Sequence, residues 1–179
     1  GRGVRTRFSD DLLWLPYVIS HYLKVTQDKS ILDIQVGFIE GPPLEPDKED
    51  SYYTPNESSQ KASVFEHCAR ALDLSLKTGV HGLPLMGSGD WNDGMNHVGI
   101  GGQGESVWLA WFLFVNLQDF SSIARERGEL DLATKWSDHA QQLFQSVEKN
   151  AWDGSWYRRA YFDNGTPLGS KTNTECKID

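Results

Sequence analysis

The densest run of chemistry-bearing residues is Gly87-Ser88-Gly89-Asp90-Trp91-Asn92-Asp93-Gly94. Its glycines let the backbone approach a ligand closely and accept positive φ. Asp90 and Asp93 are carboxylates three positions apart, Trp91 offers a flat apolar face, and Asn92 carries both donor and acceptor groups. A sugar calls for that set: a ring face to stack on, hydroxyls to hydrogen-bond and a proton to receive. A loop that merely caps a helix with Asp90 or Asp93 explains the same residues about equally well. A D-x-x-D pair also resembles a hard-cation site. The further oxygen ligands such a site needs at defined spacings are missing from the sequence, so no metal is expected.

Two smaller clusters stand apart from this loop. Arg5, Arg7, Asp10 and Asp11 combine guanidinium and carboxylate groups that can clamp vicinal hydroxyls, although a solvated helix start is the plainer explanation. Glu66-His67-Cys68 with Arg70 reads as a helix face on which His67 is more simply a satisfied histidine, in the core or supporting a site from behind, than a base. The sequence has no P-loop, no H-E-x-x-H and no paired-cysteine zinc spacing.

The elements that must position these residues read mostly as helices. Ser9 to Lys24 carries Leu12, Leu15, Ile19 and Leu23 at helical spacing behind the N-cap candidate Ser9. Pro16 conflicts with that reading, since a mid-helix proline costs about 3 kcal/mol or more, and it would fit the first turn of a later start. Lys29 to Phe38 suggests a short helix, and Glu40 to Ser59 a long acidic, proline-rich loop. Ser59 to about Thr78 suggests a helix stopped by Gly79, with Val64, Ala71 and Leu74 on its core face. Gly82 to Gly104 is a glycine-rich loop, Glu105 to Arg127 a helix ended by Gly128, and Leu130 to Asn150 another. Asn164-Gly165 between short extended runs predicts a hairpin. That makes about five helices and an all-α class with one short β-hairpin.

Composition narrows the function classes. The chain has 179 residues, 39% hydrophobic and 23% charged, which excludes disorder and disulfide scaffolds. Its net charge of −8 argues against a nucleic-acid partner, because phosphate backbones need clustered Lys and Arg. Cys68 and Cys176 form no CxxC and suit a reducing compartment. No run of about 18 apolar residues is present, so no membrane span is expected. The ends, Gly1-Arg2-Gly3 and Ile178-Asp179, suggest an internal piece of a longer protein.

Three stretches resemble the inverting glycoside phosphorylases of the cellobiose and chitobiose phosphorylase family, and most of all the phosphorylase-like C-terminal region of cyclic β-1,2-glucan synthases. They are Arg5-Thr6-Arg7-Phe8-Ser9-Asp10-Asp11-Leu12-Leu13-Trp14-Leu15-Pro16-Tyr17, His81 through Asn96, and Gly104-Glu105-Ser106-Val107-Trp108-Leu109-Ala110-Trp111-Phe112. The similarity runs through nearly all of residues 1–179.

The resemblance implies about half of an (α/α)6 barrel, with apolar helix faces left open for the rest of the polypeptide or for self-association. It implies that Asp93 is the general acid and Trp91 the tryptophan of the donor-sugar subsite. Arg5 and Asp11 fit the pair that holds that sugar's hydroxyls, with Arg7 and Asp10 as close competitors, and Asp90 and Asn92 are further substrate-binding candidates. No cofactor is implied; inorganic phosphate is the co-substrate and replaces the second carboxylate that an inverting hydrolase uses. The family's phosphate-holding residues are absent from this sequence, so the piece alone is expected to be inactive. The parent would cleave β-glucosides, β-1,2-glucan above all, to α-glucose 1-phosphate, as an inner-membrane protein with this part in the cytoplasm. An acid must hold a proton at the start, so partial burial of Asp93 is expected. The competing readings are an (α/α)6 hydrolase, with Glu66 or Glu105 as second carboxylate, and a non-catalytic glucan-binding module built on Trp91.

Overall fold

The computed structural model describes residues 1–174 and residue 176. Two long helices form its centre. α3, Val107–Arg127, starts where the Ser106 side chain accepts the Leu109 N–H at 2.9 Å. It stops at Gly128, whose φ of +82 is the left-handed conformation that lets its N–H turn back to the last carbonyls. α4, Leu130–Asn150, buries Ala133, Trp136, Ala140, Leu143 and Val147, a stripe spaced three and four residues apart. It lies along α3, whose Leu113, Leu117, Phe120 and Ala124 are wholly buried. By length and composition α3 could cross a bilayer. Here it packs between α4 and the first two helices as the core of the molecule.

Those two are α1, Asp11–Thr26, and α2, Val64–Leu74. They add Leu13, Ile19, Phe65, Cys68 and Leu72 to the same apolar cluster. Each such side chain contributes about 1.5–3 kcal/mol by leaving water. Burial also pushes the Cys68 thiol up to about 12, because a thiolate has no partner there.

Several expectations need correction. α1 begins at Asp11, and Ser9 is not its cap; the Ser9 hydroxyl donates to the Gly89 carbonyl instead. Pro16 lies inside the helix and is buried, so packing offsets its missing N–H. Of the expected stripe, Ile19 is buried and Leu23 packs against the core, whereas Leu12 and Leu15 are exposed. Lys29–Asp33 is only a 3-10 turn, and the chain continues as β2, Gln35–Glu40. The supposed acidic loop contains β3, Ser51–Tyr53, and leads into β4, Asn56–Ser63. β4 pairs antiparallel with β2, from Gln35 opposite Ser63 to Glu40 opposite Asn56, so the irregular excursion shrinks to residues 41–50. α2 therefore starts later, capped by Ser63, and ends at Ser75 rather than Gly79; Leu74 is exposed, not core.

β1, Gly3–Arg5, pairs with β3. β5, Glu105–Ser106, β6, Ala160–Tyr161, and β7, Pro167–Leu168, form a three-stranded antiparallel sheet. The β6–β7 hairpin turns at Gly165, φ +80, as the Asn-Gly signal predicts. The described residues thus form four α-helices rather than five, with seven short strands in three antiparallel sheets rather than one hairpin. The protein is mostly helical, as expected, but not all-α. Leu12, Leu15 and Val18 on α1, Val115 on α3 and Phe144 on α4 leave apolar surface in solvent.

Candidate functional site

The glycine-rich loop is held between the N-terminal segment and the β5–β7 sheet. On one side Phe8 bridges Gly87, and the Ser9 N–H donates to the Gly89 carbonyl at 3.0 Å. On the other, the Arg159 guanidinium on the β6 side donates to Asp90 Oδ1 at 2.6 Å. The Ser106 hydroxyl donates to Asp90 Oδ2 at 2.6 Å.

This geometry separates the two aspartates of the motif. Asp90 is completely buried and Arg159 is 7% exposed. Both Asp90 oxygens are taken by protein donors, so the expected role of Asp90 as a direct sugar ligand does not fit its position. Its chemistry is that of a buried ion pair, costly to break because the remaining charge has no water. Asp93 begins a 3-10 turn, Asp93–Met95, and is exposed. The partial burial expected of it is not found, because no described side chain roofs that turn.

Asn92 caps the turn: its Oδ1 accepts the Gly94 N–H at 3.1 Å, while its amide nitrogen takes no partner among the described residues. Trp91 is 54% exposed, with its ring centroid 6.0 Å from that of Trp108. Trp91 and Asn92 line an open cleft of about 670 Å³ together with Trp108, Trp111, Trp156 and Tyr157. Five aromatic side chains lining one cleft suit stacking on sugar faces.

A second cleft, about 480 Å³, holds Arg5 and Asp11 with Thr6, Tyr53 and Gly87. Arg5 donates to the Tyr53 hydroxyl at 3.3 Å, and Asp11 accepts from the Thr6 hydroxyl at 3.0 Å. The competing candidates are engaged differently, and Arg7 lines the same cleft. Arg7 is committed to the Lys48 and Glu45 carbonyls, at 2.5 and 2.8 Å. Asp10 is 5% exposed and accepts from the Trp14 indole at 2.8 Å. Burial pushes the Asp10 carboxyl above the ordinary range, the Trp14 bond opposes this, and the charges of Asp11 and Asp90 add to it. The loop contributes Gly87 to this second cleft and Trp91 and Asn92 to the aromatic one, and Asp93 lines neither.

The remaining candidates serve the scaffold. Glu105 is 1% exposed and accepts the His81 and Leu83 backbone N–H groups, each at 3.0 Å, while pairing with His81 Nδ1 at 2.5 Å. Glu66 pairs with Arg70 on α2 at 2.7 Å. His67 Nε2 meets the Val36 carbonyl at 3.0 Å and its ring lies on Phe38, which is the satisfied histidine of the plainer reading. Arg159 and Ser106 went unnoticed in the sequence. The signal was there in part: the double arginine Arg158-Arg159 inside the aromatic run from Trp156 to Phe162. Only the fold brings residues 90, 106 and 159 together. Among the described residues no cluster of metal-ligating side chains forms.

The family model described as the glycosyl hydrolase 94 superfamily, catalytic domain, matches residues 1–179. A cyclic beta-(1,2)-glucan synthase of Rhizobium meliloti (strain 1021) is 49% identical over 99% of the chain. A solabiose phosphorylase of Paenibacillus borealis is 34% identical over 96% of it. An N,N'-diacetylchitobiose phosphorylase of Vibrio proteolyticus is 29% identical over 98%. The chain spans only 6% of the synthase's length and 20% of either phosphorylase's. On the match along its full length, the chain belongs to the glycosyl hydrolase 94 superfamily, within its catalytic domain.

Proposed function

We propose that these residues are part of an inverting glycoside phosphorylase domain, half of an (α/α)6 barrel, that releases α-glucose 1-phosphate from β-glucosides, with β-1,2-glucan as the substrate. Asp93 is the general acid and Trp91 the sugar platform. Arg5 and Asp11 hold donor hydroxyls from the neighbouring cleft, and Asn92 offers its amide nitrogen. A phosphate oxygen attacks the anomeric carbon, the glycosidic C–O bond breaks, and the leaving oxygen takes the proton of Asp93. The products are α-glucose 1-phosphate and a glucan one residue shorter. Acid assistance of this kind supplies typically about 10²–10⁴-fold.

The observation that carries this reading is the division of labour in the motif. Asp90 is spent on Arg159 and Ser106, while Trp91 and Asp93 are left exposed on the turn it anchors. The hydrolase reading is weaker because both candidate second carboxylates are engaged, Glu105 by the loop at His81 and Leu83, Glu66 by Arg70. The phosphate site and the roof over Asp93 belong, on this reading, to other parts of a longer polypeptide. That longer protein is an inner-membrane protein with this domain in the cytoplasm. The 179 residues alone bind glucan without turning it over, a second reading favoured by the exposure of Asp93 and the aromatic cleft.

The test uses the full-length protein with β-1,2-gluco-oligosaccharides, with and without inorganic phosphate, beside Asp93→Asn. Phosphate-dependent α-glucose 1-phosphate, lost in the variant, is the expected result. Glucose released without phosphate would replace the phosphorylase with a hydrolase, and binding with neither product would leave a sugar-binding module.

A further inference from the structure

In Asp90-Trp91-Asn92-Asp93-Gly94 two side chains bond to the backbone of the same loop. Asp90 Oδ1 accepts the Asn92 N–H at 3.1 Å, and Asn92 Oδ1 accepts the Gly94 N–H at 3.1 Å. These are two successive turns of the kind Asp and Asn form with their own backbone two residues on. Asp90 Oδ1 and Asn92 Oδ1 thereby hold the backbone, and the side chains between and after them, Trp91 and Asp93, are exposed.

The first of these turns hangs on a buried, hydrogen-bonded cluster. Asp90 Oδ1 also receives Arg159 Nη2 at 2.6 Å, and Oδ2 receives the Ser106 hydroxyl at 2.6 Å. Ser106 Oγ gives its single proton to Asp90 and accepts from the Leu109 N–H at 2.9 Å and from Arg159 Nη1 at 3.4 Å. Arg159 is fixed in turn through its backbone, its N–H donating to Leu168 at 2.9 Å and its carbonyl accepting from Val107 at 3.1 Å. The cluster ties the loop to the start of α3 and to the hairpin at once. A carboxylate there also meets the positive end of α3.

We infer that the buried Arg159–Asp90–Ser106 cluster is a positioning device for the proposed site. Arg159 and Asp90 govern turnover through the direction in which Asp93 presents its carboxyl, rather than by binding the sugar. This rests on Asp93 being the acid proposed above. A buried charge pair at the base of two linked turns leaves the turn little freedom, and small misplacements of a reacting group are costly to rate. Lysine cannot replace Arg159 without loss, since it lacks the planar fork that reaches Asp90 and Ser106 together.

The test compares two substrates in the full-length protein. One is a β-1,2-gluco-oligosaccharide, whose leaving sugar needs a donated proton. The other is 2,4-dinitrophenyl β-glucoside, whose phenolate leaves without one when phosphate attacks. Arg159→Lys and Asp90→Asn should each lower kcat on the oligosaccharide by about tenfold or more. Both should leave the aryl glucoside within about threefold of wild type, the pattern also expected of Asp93→Asn. A smaller folded fraction lowers both rates by one factor, so the ratio between substrates does not depend on it. If Asp93→Asn shows this pattern and the Asp90 and Arg159 variants slow both substrates equally, or neither, the cluster is a structural element only and the inference fails. If Asp93→Asn turns over the oligosaccharide normally, the acid assignment fails and the inference goes with it.

Discussion

At Gly87 the N-terminal segment packs closely on the sugar-site loop. Its φ is +66, and a Cβ built on it would lie 2.3 Å from the carbonyl oxygen of Arg7, a backbone atom that cannot swing aside. Gly87→Ala should therefore carry two costs. A left-handed backbone costs an L-residue about 1–2 kcal/mol. Prising the two segments apart adds about 1–3 kcal/mol of overpacking. Gly165 separates them: its φ is +80 but nothing lies within 4 Å of its would-be Cβ, so Gly165→Ala should carry the backbone cost alone.

Amide hydrogen exchange on the full-length protein, followed by peptide mass spectrometry, reads the difference locally. The Ser9 and Ser88 amides close across the contact, onto Gly89 and Arg7. In Gly87→Ala, peptides spanning residues 6–12 and 86–90 should exchange about 30-fold faster or more, the equivalent of about 2 kcal/mol in local opening. In Gly165→Ala they should match wild type. Wild-type exchange in Gly87→Ala would refute the close approach, and with it the claim that the Arg5–Asp11 cleft is registered against Trp91 through this crossing.

Three further outcomes are expected. Trp136 is wholly buried with its indole bonded to Asp73 at 2.9 Å, so Trp136→Ala should destabilise by about 3–5 kcal/mol, seen as a lowered urea midpoint. His139 is held below the usual histidine range, by burial and then by Lys135. Its folded state prefers the neutral ring, so the contribution is full above the unfolded value near 6.5 and is lost as pH falls below it. Thermal midpoints from pH 7.5 to 5.5 should drop more in wild type than in His139→Gln. Asp163 accepts the N–H groups of Gly101, Gln103 and Gly104 at 2.7, 2.8 and 2.8 Å, and although burial pushes its carboxyl up, these bonds hold it below 3.8. Its stabilisation is present above 3.8 and is lost as pH falls through the lower folded value; Asp163→Asn should speed exchange of residues 100–104 at neutral pH.

What could be read in advance follows from where the information lies. α3 and α4 carried their own period, their own stops and, in Gly128, a residue suited to the left-handed cap, so their positions were legible. The hairpin was legible at Asn164-Gly165 for the same local reason. β4 was not: Asn56-Glu57-Ser58-Ser59-Gln60-Lys61 is a poor strand by composition, and it is extended because β2 lies beside it. α2 was consequently drawn too long. Within the site, the 90–93 motif stood out as chemistry-bearing by its residue types, whereas the roles of Asp93, Trp91, Arg5 and Asp11 came from the family resemblance alone. The opposite fates of Asp90 and Asp93, identical residues three apart, depend on Arg159, 69 positions from Asp90, and only packing reveals them.

The excursion at residues 41–50 touches the core nowhere, yet it reaches the site from two directions. Its Glu45 and Lys48 carbonyls hold Arg7, and its Glu49 carboxylate meets the Asn96 amide at 3.4 Å, next to the turn that begins at Asp93. The strand that follows it, β3, is the sheet partner of β1, which ends at Arg5. The excursion thus behaves as an adjustable spacer. Insertions or deletions within it would leave the apolar interior untouched while resetting the gap between the Arg5 cleft and the Asp93 turn. A lineage that needs to accept a differently shaped sugar can find that change in a solvent loop, where length is cheap, rather than in the helices that keep the protein folded.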